Sequence, residues 1–137
     1  MKPYPKPRKK KKRQPITDKR LLALWREAVI ERASHKCEYP ECDINATQLQ
    51  AHHFYTKRIV AMRYNLENGL CLCATHHTMG AFSAHRDPDF KDIIIERGVR
   101  TEEWHDKLIK QKNERTKNTP AFKAECLEKL KLYLEGE

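Results

Sequence analysis

No stretch of this 137-residue chain approaches the roughly 18–20 consecutive apolar residues that a membrane-crossing helix needs. The N-terminus lacks the apolar segment of a secretory signal. There is no internal repeat. Apolar residues make up only 39% of the chain against 34% charged, so any core is small and a metal staple would help to hold it. A disulfide framework is disfavoured as well. Five cysteines is an odd number, and two of them are split by a short loop and answered by a Cys-x2-His further on. That is the pattern of a metal site in a reducing compartment, so a cytoplasmic protein is expected.

Acidic residues are missing from residues 1–13, which hold eight Lys or Arg. The rest carries 20 basic against 19 acidic side chains, so the net charge of +9 belongs mostly to this tail. Four prolines fall within residues 1–15, a segment that cannot bury a core and is expected to be a disordered basic tail. Its run Lys9, Lys10, Lys11, Lys12 and Arg13 suits a polyanion, and nucleic acid is the first candidate. Residues 16–137 are expected to form one domain.

Within that domain the pattern predicts an α+β fold, mostly helical. Thr17 or Asp18 can cap a helix to about Ala33, with Leu21, Leu22, Trp25 and Val29 on one face and Trp25 as a core anchor. Residues 34–48 read as a loop. Leu49 to Phe54 suits a strand carrying His52 and His53, and Gly69 to Cys73 a second strand. Residues 56–67 are basic and polar without a clear period. A helix should start near Thr75, and Pro88 should open the next. Thr101 can cap a helix through about Lys112, and Thr119-Pro120 opens another with Phe122, Cys126, Leu130 and Tyr133 or Leu134 inward. Two strands alone are marginal in water, so something must fasten them to the helix beyond.

Cys37-x4-Cys42 and Cys73-x2-His76 supply the fastening. Two short-spaced pairs of thiolate and imidazole donors make a tetrahedral zinc set, which predicts a structural Zn2+. Strand parity is expected to set Cys71 apart from Cys73, leaving it, like Cys126, in the core. Three histidines then stand beyond the needs of zinc: His52, His53 and His77.

The segments Ala51-His52-His53-Phe54 and Asn68-Gly69-Leu70-Cys71-Leu72-Cys73-Ala74-Thr75-His76-His77 resemble the His-Asn-His (HNH, ββα-metal) endonuclease motif. Within that superfamily the chain is most similar to small phage-type members such as the NinG-like recombination nucleases, over residues 37–90. The resemblance implies a ββα-metal core with a structural zinc, flanked by an N-terminal helix and C-terminal helices. It implies a DNA endonuclease that hydrolyses phosphodiester bonds with one catalytic Mg2+ or Mn2+, for a phage protein in the cytoplasm of its bacterial host. His53 would be the general base, His52 and His77 the ligands of the catalytic metal, and Asn68 would orient His53 from the facing strand. The reverse assignment, His77 on zinc and His76 on the second metal, stays open. So does an exchange between His52 and His53. Asn68-Gly69 also reads as a plain turn.

Lys57, Arg58 and Arg63 lie between the two strands and are candidates for clamping phosphate. His85 could face the metal, but it lies eight residues past His77, off the same helical face, and is expected to be structural or to support the metal ligands from outside them. His35 and His105 are expected at the surface. The competing reading is a zinc-stabilised nucleic-acid-binding module without catalysis.

Overall fold

The structure, a computed structural model, describes residues 3–5, 15–44 and 48–136. The basic run at residues 9–13 lies outside the described residues. The fold is α+β and about half helical, with one small sheet.

Helix α1 (Asp18–Arg32) begins where Thr17 accepts the Arg20 N–H and buries Leu21, Trp25, Ala28 and Val29. Strand β1 (Leu49–His53) pairs antiparallel with β2 (Gly69–Cys73), Leu49 opposite Cys73 and His53 opposite Gly69. The polar connection between them is not featureless. It holds a one-turn helix α2 (Val60–Arg63) and a 3₁₀ turn (Leu66–Asn68), too short to show a period in sequence.

After β2 the expected helix is a single wide turn (Thr75–Met79), closed by Gly80 N–H donating to Thr75 O at 2.8 Å. A Cβ on Gly80 would stand 2.7 Å from that oxygen, so the closure requires glycine. The hairpin therefore leads into one wide turn and not into the α-helix of a strict ββα core. Three helices complete the chain: α3 (Phe90–Glu96), α4 (Glu102–Asn113) and α5 (Pro120–Leu134). Thr101 and Thr119 cap the last two as expected. Helix α3 starts at Phe90, behind Asp89, and not at Pro88. No helix among the described residues is long and apolar enough to cross a membrane.

The hairpin is packed on both faces. Leu49, Ala51 and Cys71 meet α1 and α5 through Trp25, Val29 and Leu130. Leu70 and Leu72 meet Phe90 and Ile94 of α3. All five residues of β2 are buried. Asp18 adds a polar clasp, accepting hydrogen bonds from Tyr64 and Asn118 and facing Lys123 Nζ at 3.4 Å.

Gly69 sets how closely β2 approaches α1. A Cβ there would fall 2.3 Å from Val29 Cγ2 and 3.1 Å from the Trp25 ring. Arg32 of α1 seals the same place by donating to Leu66 O (2.8 Å) and Gly69 O (2.5 Å). Gly69→Ala is expected to destabilise the domain by about 1–3 kcal/mol, the usual range for overpacking, and urea unfolding measures it. An unchanged midpoint would mean that α1 can yield without cost.

Candidate metal centres

The loop after α1 supplies the first two sulfurs. Ser34 and His35 take positive φ (54° and 58°) as the helix ends, and Glu41 does so at 59° just before Cys42. Glu38 locks this loop to the free edge of β2. Its N–H donates to Cys71 O, and its carboxylate accepts the Cys71 N–H, both at 2.8 Å. Arg100 holds the other carboxylate oxygen at 3.0 Å.

Cys73 ends β2 and His76 lies one turn later. Cys37, Cys42, Cys73 and His76 each place a donor atom within 4.8 Å of the others, close enough to hold a metal ion. His76 Nδ1 lies 3.2 Å from Cys73 Sγ and 3.6 Å from Cys37 Sγ. Tyr39 stacks on the His76 ring at 4.1 Å and fixes its plane. Burial pushes the Cys37 thiol up to about 12, so a cation bound there must displace its proton. The expected ligand set comes together in full, with His76 and not His77 in it. Parity does not set Cys71 apart from Cys73, since residues two apart share a strand face. What keeps Cys71 out is its place in the core beside Trp25.

A second set forms on the other face of the hairpin. His52, His77 and His85 bring ring nitrogens within 4.8 Å of one another. His85 is the residue that helical spacing misses. The turn at Gly80 ends the helix, and the chain doubles back so that His85 N–H donates to His77 O at 3.2 Å. The two Nε2 atoms of His77 and His85 then stand 3.1 Å apart. Gln50, two residues before His52 on the same strand face, places Oε1 2.5 Å from His77 Nδ1. An amide oxygen accepts, so Nδ1 carries the proton and Nε2 is the bare nitrogen facing His85. Burial and the neighbouring imidazoles of His77 and His85 push His52 down to about 3, which keeps it neutral. The set opens onto a cleft of about 550 Å³ bounded by Phe54, Arg86, Phe90 and Lys91.

His53 is not in this set. Alternation along β1 turns it to the opposite face, where its ring stacks on Trp25 at 3.8 Å and 11°. Its Nε2 is 2.9 Å from Arg63 O, so that nitrogen holds the proton and Nδ1 is the basic one. Burial lowers its pKa, which favours the neutral ring near pH 7. Asn68 does not reach His53. Fully buried, it accepts the Tyr55 N–H (2.8 Å) and donates to Tyr55 O (2.9 Å) and Met62 O (3.1 Å). It braces the connection that carries Arg63, and so acts on His53 at one remove. It is a strut, not a hairpin turn.

Arg63 Nε donates to Lys57 O, which ties the connection to itself, while Lys57 and Arg58 are exposed. His35 is exposed beside Glu31, but His105 is half-buried against Tyr55.

The chain matches no protein-family model, no curated protein and no solved structure. Its function must be read from its own residues.

The two sets separate experimentally. Cys42→Ser is expected to cost the tightly held metal and the fold together, because site formation and folding share one free energy. Metal analysis beside circular dichroism checks this, and folded wild type with metal content near zero would rule it out. His85→Ala should keep the tight metal and fold. Its affinity for added Mn2+ should fall by more than the roughly 10–100-fold that losing an outer partner such as Gln50 costs.

Proposed function

We propose that the protein is a metal-dependent DNA endonuclease of the His-Asn-His kind, with Zn2+ in the Cys37, Cys42, Cys73, His76 set and a second divalent ion at His52, His77 and His85. One observation carries the reading. Two ligand sets of different chemistry are built from neighbouring residues, one closed with four donors and one with three donors at the mouth of a cleft. A closed thiolate-rich set suits structure, whereas three protein donors leave positions for substrate and water. Three imidazoles without a carboxylate disfavour Mg2+ and suit later first-row ions best, with Mn2+ the weakest of that row.

The ion, when bound, supplies positive charge to a phosphate oxygen and the leaving 3′ oxygen. The residues of the chain do the rest. His53, with its proton fixed on Nε2 by the Arg63 carbonyl, takes a proton from the attacking water at Nδ1. Trp25 holds its ring in place. Because His52 and His53 face opposite sides of β1, the DNA strand has to cross the end of the hairpin, past exposed Lys57 and Arg58 and beside Arg63. The basic tail adds affinity that falls with salt.

Cleavage of plasmid DNA with Mn2+ or Mg2+ tests this. His53→Ala is expected to lose about 10²–10⁴ in rate while retaining both metals. His77→Ala should also be inactive, with partial rescue by excess Mn2+ that His53→Ala does not show. Equal activity of wild type and His53→Ala would end the assignment of the base. The stacking of His53 on Trp25 favours a second reading, in which the ring is structural and the protein is a zinc-stabilised nucleic-acid-binding module. DNA binding without cleavage under any divalent ion is the outcome that reading expects.

A further inference from the structure

The cleft beside His52 and His85 continues past the metal ligands. Phe54 and Lys91 line it and lead onto a surface built from the end of β1, α3 and α4. Phe54 meets Tyr55 and Trp104 edge-on, with ring centroids 5.1 and 4.9 Å apart. The Tyr55 hydroxyl lies 2.7 Å from His105 Nε2, and Trp104 Nε1 donates to Glu67 O at 2.8 Å, so these rings are fixed in place.

Two ammonium groups lie against the Tyr55 ring. Lys91 Nζ is 4.6 Å from the Tyr55 centroid and 5.3 Å from that of Phe54. Lys112 Nζ, from α4, is 4.6 Å from the same Tyr55 centroid. Neither lysine is in an ion pair among the described residues. Asp87 also lines the cleft but makes no ion pair with either lysine. Holding two like charges against one ring is unfavourable, and cation–π attraction offsets only part of the repulsion. Phosphate groups along a nucleic-acid backbone would neutralise them. The lysines are held in advance, so binding phosphate costs less side-chain entropy than recruiting free surface lysines.

We infer that Lys91 and Lys112, held by Tyr55 and Phe54, each bind a DNA backbone phosphate beside the one at the three-histidine cleft. This rests on the DNA-binding part of the proposed function and not on cleavage. It gives α3 and α4 a role in steering the strand: Lys91 touches both the cleft and the ring floor, so one backbone can run from one to the other. The Tyr55 ring serves to hold cations, not to stack a base.

The test is equilibrium binding of a fluorescent 30-base-pair duplex to zinc-loaded protein, without added divalent ion, across a salt series. Each phosphate contact contributes about 0.9 to the slope of log affinity against log salt. Lys91→Gln/Lys112→Gln should therefore flatten the slope by about 1.8, with thermal unfolding unchanged. Lys91→Arg/Lys112→Arg should restore it, which a purely structural role would not require. An unchanged slope in the glutamine variant, with wild type binding normally, would overturn this inference alone. Wild type that binds no duplex at any salt would overturn it together with the DNA reading. A slope flattened in the glutamine variant, with no cleavage under any divalent ion, would support it and sink only the catalytic assignment.

Discussion

Two five-residue strands cannot hold themselves together in water, and here they do not have to. Helix α1 covers one face of the hairpin and α3 covers the other. Gly69 allows the closest approach, and Arg32 crosses from α1 to take the carbonyls of Leu66 and Gly69. Packing on both faces also fixes the register. A one-residue slip of β2 would exchange Cys71 with Leu70, and one of β1 would turn His52 toward Trp25. The placement of every histidine on β1 thus depends on a hydrophobic constraint.

The same pleat divides the chemistry. His52 goes to the cleft with His77 and His85, and His53 goes to Trp25 and Arg63. The four-ligand set sits where the hairpin ends, and His76 and His77 are neighbours serving different sets. Forming the closed set would order the turn that presents His77, and through Gly80 the return that presents His85. Metal in the closed set would give that turn a more rigid ligand geometry than a small core alone supplies.

Much of this is legible in the residues. Caps at Thr17, Thr101 and Thr119, the apolar face of α1 and both strands obey local rules, and the structure has them in place. The four-residue metal set is likewise legible from spacing, because short loops leave few ways to place paired donors. His85 is not legible. Its place depends on a helix failing after one turn, which the steric demand at Gly80 decides. Gln50 gives no signal, because its value lies in which nitrogen of His77 it leaves bare. Asn68 is not the partner of His53 that the motif implies. A fully buried amide takes whichever backbone groups are within reach, and those belong to Tyr55 and Met62.

The sequence by itself determined which four residues can form the closed metal set, where α1, α4 and α5 start and that the basic charge is concentrated at one end. Those properties depend on residue type and on neighbours a few positions away. Only the tertiary structure decided that His85 joins His52 and His77, that His53 stands apart on Trp25, and that Lys91 and Lys112 both lie against Tyr55. Each is a meeting of segments that are distant in the chain or that a turn folds back. Packing against α1, α3 and α4 sets those meetings, and no local spacing rule contains it.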